Sequence, residues 1–328
     1  MMNKKLSLFS IVVMLALVLA ACAPAATQAP ANPAATEAPA AGGNHTLVFI
    51  PGSASNPSQA FGFKMFQKHA AEYGFEASML DGKADVAEQT KAINNAVAQG
   101  ADVIIVNPND AKAIVPAMKA AQDAGVVVGV FMAAAQPGDS TFFVAVDDKQ
   151  AGGVVVQGIL KLFPDGATGV EIGGQAGHPA AIDRHDGFTT ALKDHPEIKV
   201  LDYQNPQQWD AAMAQAIAED MITKYGDQIQ FVFCHWDNGA TGVINALKAA
   251  GMNDVLVFGV DGNAVAFEQV KSWKNYNSIG QNVETIAMKS MEIANKFLAK
   301  DASAKFDNIV PFDLITKDTV GNFTPPEW

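Results

Sequence analysis

The sequence predicts an α/β protein built from two doubly wound parallel-sheet lobes. Three observations predict it. First, a unit repeats: an amphipathic segment ends at glycine and a short, continuously apolar strand follows. Lys91–Gln99 ends at Gly100 before Val103–Val106, Ile114–Ala124 at Gly125 before Val126–Phe131, and Val243–Ala250 at Gly251 before Val255–Val260. Strands covered by helices on both faces read as apolar runs, and glycine supplies the left-handed turn past a helix end. Second, about eleven such strands occur in some 285 residues, too many for one comfortable open sheet. Third, polar and aromatic residues gather just after the strands, where open parallel sheets bind ligands.

Taken in order, the chain opens on an export signal. Lys4 and Lys5 precede an apolar run from Leu6 to Ala21, and Leu19-Ala20-Ala21-Cys22 closes it. Residues 1–21 thus read as a lipoprotein signal peptide, with Cys22 as the lipid attachment. The run is shorter than the ~20 residues a membrane span needs. Residues 22–43, rich in Ala and Pro, have no apolar periodicity and read as a disordered tether. The folded part begins near Asn44.

In the first half the strands are expected at Thr46–Ile50, Ala77–Leu80, Val103–Val106, Val126–Phe131 and Phe142–Ala145. In the second they are expected at Gly169–Ile172, Lys199–Tyr203, Phe231–Cys234, Val255–Val260 and Asn277–Gly280, with one late strand near Val310–Ile315. Asp85 with Glu88 three residues on forms a capping box. Cys234 lies in an apolar strand and reads as an inert core thiol; with Cys22 lipidated it has no disulfide partner. His45, His69 and His195 read as surface residues.

The net charge of −12 becomes about −14 once Lys4 and Lys5 leave with the signal. Such a surface argues against nucleic acid and anionic substrates, and favours solubility. No serine elbow, Cys–His pair or metal-ligand spacing occurs, so the reading is no catalysis, no metal and no cofactor.

The strand ends carry the candidate site. Asn56-Pro57 follows the first strand, Asn107-Pro108 the third, His178 and Arg184 the sixth, Trp209-Asp210 the seventh, Trp236 the eighth, Asp261-Gly262 the ninth and Gln281 the tenth. Amides donate and accept, Asp accepts and Arg donates in a fork, which suits hydroxyl groups. Tryptophan faces pack on sugar C–H surfaces. Arg184 also reads as a solvated helix residue, with Asp183 and Asp186 as near partners.

With Val103-Ile104-Ile105-Val106-Asn107-Pro108, Ala180 to Phe188 (AAIDRHDGF) and Val257-Phe258-Gly259-Val260-Asp261-Gly262, the chain resembles the periplasmic sugar-binding proteins of ABC importers, of the ribose-binding and galactose/glucose-binding type. The resemblance runs from Asn44 to Asp318. It implies a type I fold with a three-strand hinge crossing near Val146–Lys149, Ile279–Gln281 and Val310–Asp313. The N-terminal lobe would be residues 44–147 plus 281–312, and the C-terminal lobe 148–280 plus 313–328. It implies ligand-binding roles for Asn56, Asn107, His178, Arg184, Trp209, Asp261 and Gln281. Three stretches depart from the ribose-binding pattern: Ser58-Gln59 replaces two aromatics, Met132-Ala133 replaces Asp-Arg, and Trp236 replaces Asn. Ser58, Gln59, Met132 and Trp236 are therefore further candidates, in a pocket smaller or differently shaped and more apolar.

The function expected is capture of a small neutral sugar or polyol by hinge closure, by a monomer anchored through lipid and facing the periplasm or the cell exterior, for an ABC permease. The alternatives are a binding protein serving a chemoreceptor or sensor kinase, and a nucleoside or signal-molecule binder in which Trp209 and Trp236 sandwich a base.

Overall fold

A computed structural model describes residues 44–328; the signal, the tether and Cys22 lie outside the described residues. The strands are β1 (His45–Ile50), β2 (Phe75–Met79), β3 (Val103–Val106), β4 (Val127–Phe131), β5 (Phe142–Ala145), β6 (Thr168–Ile172), β7 (Lys199–Gln204), β8 (Phe231–Cys234), β9 (Leu256–Asp261), β10 (Tyr276–Gly280), β11 (Asp307–Ile309) and β12 (Asp313–Ile315). The helices are α1 (Pro57–His69), α2 (Val86–Ala98), α3 (Val115–Asp123), α4 (Asp148–Leu162), α5 (Pro179–Leu192), α6 (Ala211–Tyr225), α7 (Asp237–Ala249), α8 (Ala264–Ser272) and α9 (Val283–Leu298).

Two six-stranded sheets result, ordered β2-β1-β3-β4-β5-β11 and β7-β6-β8-β9-β10-β12. All neighbours run parallel except β12, which is antiparallel to β10. The two sheets repeat one winding, with strand order reversing at β1/β3 in the first and β6/β8 in the second. Crevices open beyond the carboxyl ends of strands at such switch points.

The apolar runs are buried as their composition demands: β3 and β8 are buried throughout. In the first lobe Phe49, Phe66 and Phe131 pack mutually with centroids 5.1–5.4 Å apart. Each such pair adds about 0.5–1.5 kcal/mol beyond its area burial. Helix starts are set by short polar side chains. Asp85, Asp147, Asp210, Asn263 and Asn282 each accept a backbone N–H of the first turn of the helix that follows.

Three sequence expectations are corrected. The late strand expected at Val310–Ile315 covers only Asp313–Ile315, β12, and a further strand, β11 at Asp307–Ile309, precedes it. β11 joins the first sheet and β12 the second, and the intervening Pro311 has no N–H to extend a ladder. The capping box is half made. Asp85 accepts from the Glu88 amide at 2.9 Å, but the Glu88 carboxylate turns to Lys83 and Lys91, and the Asp85 amide donates to the Gly82 carbonyl. His69 is buried rather than on the surface. Its Nε2 lies 2.8 Å from Glu284 on α9, and its Nδ1 lies 3.2 Å from Glu72. The Glu284 hydrogen bond raises its pKa above the usual histidine value.

The last residues touch both sides of the molecule. Phe323 packs with the core of the second sheet. The Trp328 ring stacks on Phe61 of α1 at 5.8 Å, while its carbonyl accepts from the Ala264 amide at 2.7 Å.

Helices α4 and α5 approach closely enough to require glycine at both contact points. A methyl group on Gly152 would overlap the Phe188 amide nitrogen, and one on Gly187 the Lys149 carbonyl oxygen. These are backbone atoms, which cannot step aside like a side-chain tip. The contact also brings Asp148, at the start of α4, to Arg184 on α5. Gly187→Ala is expected to destabilise the fold by about 1–3 kcal/mol or more, read as a lower urea midpoint at unchanged slope. An unchanged midpoint would mean the two helices separate freely.

Candidate functional site

One cavity lies where the carboxyl ends of the two sheets face each other. Its cavity volume is about 30 Å³, and it is lined by Asn56, Ser58, Gln59, Asn107, Met132, His178, Ala180, Arg184, Trp209, Trp236, Asp261 and Gln281. The structure thus brings together all eleven candidates named from the sequence; Ala180 had no chemistry to single it out.

Arg184 is the charged anchor. It is buried, and its Nε donates to Asp148 Oδ1 at 2.7 Å while Nη1 donates to the His235 carbonyl at 2.5 Å. Its partner is therefore Asp148, not its neighbours Asp183 and Asp186; Asp183 pairs with Lys149 instead. Burial pushes Asp148 up to about 6 against the pull of Arg184. Paired in this way, the guanidinium offers a donor without an uncompensated charge.

Asn107 and His178 form a bridge from the first sheet to the second. The Ala180 amide donates to His178 Nδ1 at 3.2 Å, so the ring proton sits on Nε2, which donates to Asn107 Oδ1 at 3.2 Å. Asn107 Nδ2 donates to the Phe131 carbonyl at 2.8 Å, which fixes its amide orientation. Burial and then the charge of Arg184 lower His178 to about 3, so the ring is neutral at physiological pH. A second bridge follows the same direction: Gln175 Nε2 donates to the carbonyl and the side-chain oxygen of Asn109, both at 3.2 Å. Sequence reading missed Gln175 and Asn109, because only the facing of the two sheets makes them partners.

Asn56 serves first as a helix cap. Its Oδ1 accepts from the Ser58 hydroxyl at 2.8 Å and from the amides of Ser58 and Gln59 at 3.0 and 3.4 Å. Gln59 Oε1 accepts from the Ser53 amide at 3.0 Å, which ties down the loop after β1. Met132 closes the wall with a left-handed φ of 56°.

The aromatic wall is Trp209, which meets His178 at 5.2 Å and Trp236 at 5.3 Å, each at an interplanar angle of 84°. Arg184 lies 5.8 Å from the Trp209 centroid. Gly174 and Gly239 make room: a methyl group on either would strike the ring of Trp209 or Trp236 respectively. The edge-to-face angle leaves no parallel slot between the indoles for the base of the alternative reading. Behind this wall the buried Glu171 accepts from His235 Nε2 and His185 Nδ1, both at 2.9 Å. Burial raises its pKa, but these hydrogen bonds outweigh that and hold it below the usual range.

Asp261 and Gln281 complete the wall. Gln281 Nε2 donates to Asp261 Oδ1 at 3.0 Å, and the Gln281 amide donates to the Asp261 carbonyl at 2.8 Å. Two buried polar atoms of the lining, Trp236 Nε1 and Gln281 Oε1, have no hydrogen-bond partner among the described residues. The first can only donate and the second can only accept. Cys234 is buried behind Trp236, and burial pushes its thiol pKa up. Among the described residues no group of three or more His, Cys, Asp or Glu side chains is placed to hold a metal ion. None of the described helices is long and apolar enough to cross a membrane.

The depressed pKa of His178 has a stability consequence. The unfolded chain binds a proton at this ring from about pH 6.5 downward, and the folded chain only near pH 3. The stability it contributes is present above pH 6.5 and is lost as pH falls from there towards 3. His178→Gln is expected to flatten this acid-side loss relative to wild type, by up to several kcal/mol, in denaturant titrations across that range. Parallel pH profiles for the two proteins would contradict a neutral buried ring.

Three comparisons with known proteins bear on this geometry. A family model described as a periplasmic binding protein domain matches residues 47–302. A ribose import binding protein of Salmonella typhimurium is 30% identical over 270 residues, covering 82% of this chain and 89% of its own. A xylitol-binding protein of Mycolicibacterium smegmatis is 29% identical over 236 residues, covering 72% of this chain and 67% of its own. Among solved structures, an ABC transporter solute binding protein of Bacillus halodurans with bound myo-inositol superposes with a TM-score of 0.78 at 24% identity, covering 86% of this chain and 98% of its own. The shared winding of two facing sheets and a match over most of the chain's length place this chain in the periplasmic binding protein family, with the type I architecture.

Proposed function

We propose that this chain captures a neutral monosaccharide or sugar alcohol in the cleft and presents it to an ABC importer. The observation that carries this reading is the pairing of unsatisfied groups in the wall. Trp236 Nε1 needs an acceptor and Gln281 Oε1 needs a donor, and a hydroxyl is both. The one buried guanidinium is already paired with Asp148, so an uncharged ligand meets no unbalanced field. The names of the relatives, which concern ribose and xylitol, agree with this chemistry. Membership in a family of binding proteins supports capture without turnover.

In this proposal Asn56, Ser58, Gln59, Asn107, Met132 and Gln281 act from the first lobe or hinge, and His178, Arg184, Trp209, Trp236 and Asp261 from the second. The lobes are residues 44–147 plus 281–312 and 148–280 plus 313–328. A ligand touching both stabilises the closed state by its differential contacts. The chain works as an exported monomer held to the membrane through Cys22, and its closed form docks on a permease.

A thermal-shift screen of D-ribose, xylitol and myo-inositol tests the reading. A ligand present at about 100 times its Kd stabilises by about 2.7 kcal/mol. Asp261→Ala is expected to abolish that gain. Arg184→Ala is expected to abolish it and also to cost about 3–5 kcal/mol of stability, because Asp148 is left buried and unpaired. Ligand-induced shifts equal to wild type in both variants would refute the site.

A further inference from the structure

Asp237 is fully buried and is absent from the cavity lining, yet it ties together the segments that aim Asp261. It is the first residue of α7, directly after Trp236. Its Oδ1 accepts from the Tyr276 hydroxyl at 2.6 Å. Its Oδ2 accepts from the Gly262 amide at 2.7 Å and from the Ser278 hydroxyl at 2.9 Å. One carboxylate thus joins the start of α7, the turn ending β9, and two residues of β10. From β10 the chain runs directly into Gln281, which holds Asp261 by two hydrogen bonds.

The turn needs holding. Asp261 has φ 128°, a conformation L-residues rarely adopt, and Gly262 follows at φ 68°. Such a backbone persists only when its surroundings over-determine it. The Gly262 amide is the first donor past Asp261; it meets Asp237 Oδ2 at 2.7 Å, with the Ser278 hydroxyl, itself held by Asp237, as a second acceptor at 3.1 Å.

We propose that Asp237 is the positioning residue for Asp261 and thereby sets the affinity of the cleft. This rests on the reading that Asp261 touches the ligand. The arrangement has an electrostatic side as well. Burial raises the pKa of both carboxyls, and Asp237 raises that of Asp261 further. The other groups facing Asp261 are Arg184, which lowers it, Gln281, whose hydrogen bond lowers it, and Asp148, which raises it. Around Asp237 stand the Tyr276 and Ser278 hydroxyls and the backbone of Gly262 and Asn263. Removing the charge at 237 lets Asp261 ionise at lower pH.

Asp237→Asn is the informative change, because it keeps the size and one carbonyl oxygen for the Gly262 amide, while its NH₂ can donate to the Tyr276 oxygen. Binding of D-ribose, xylitol and myo-inositol to the full chain is measured by calorimetry from about pH 5.5 to about pH 9, in wild type, Asp237→Asn and Asp261→Asn. Asp237→Asn is expected to weaken the sugar or polyol that wild type binds by about tenfold and to move the pH midpoint of binding down by about one unit. Asp261→Asn should remove the part of the pH dependence that Asp237→Asn moves. Equal affinity and an equal profile in Asp237→Asn would overturn the proposal. So would weaker binding with an unmoved midpoint, which is what a merely structural role gives. Wild-type affinity in Asp261→Asn would instead overturn the underlying reading of the site. If none of the three compounds binds, carboxyl ¹³C titration of aspartate-labelled protein decides without ligand. The Asp261 resonance should titrate at lower pH in Asp237→Asn, and an unchanged titration would overturn the proposal.

Discussion

The buried ion pair between Arg184 and Asp148 is the constraint on which the cleft depends. Their contact of 2.7 Å is made with both side chains almost fully withdrawn from water. Taking two charges out of water is costly, and such a pair survives only with good geometry and further hydrogen bonds. The close approach of α4 and α5 supplies the geometry, and the His235 carbonyl supplies a further acceptor. In return Arg184 lies against Trp209 and helps keep His178 neutral. The polarity of the cleft is set by a charge that has been spent inside the protein.

The second organising fact is the repeated winding. Two sheets with the same strand order point their carboxyl ends at each other, so the loops after β1 and β3 face those after β6 and β8. Direct hydrogen bonds cross the gap, from His178 to Asn107 and from Gln175 to Asn109. These contacts tie the loops of the two sheets directly to each other.

Much of this was legible in the sequence, for identifiable reasons. Runs such as Val103–Val106 and Phe231–Cys234 reveal strands because both faces are buried. The strand ends reveal the cavity because polar residues there have no place in a sheet core. What was hidden depended on distant partners. Asp148 is 36 positions from Arg184, whereas the adjacent Asp183 pairs with Lys149 instead. His69 is buried by Glu284 of α9, more than two hundred residues on. Asn56 and His178 look like ligand groups and line the cavity, but part of their hydrogen-bonding capacity is spent on capping α1 and α5. β11 was missed and β12 shortened because each depends on the sheet edge it meets, which local pattern does not encode.

The cleft suits an uncharged, hydroxyl-rich molecule because its guanidinium is already paired with Asp148. The most direct measurement is calorimetric titration of the wild-type chain with a neutral polyol and with the phosphate ester of the same polyol. Saturable binding of the neutral compound is expected, and none of its anion. Tighter binding of the phosphate ester would contradict it, since Arg184 would then be serving an anion and not Asp148.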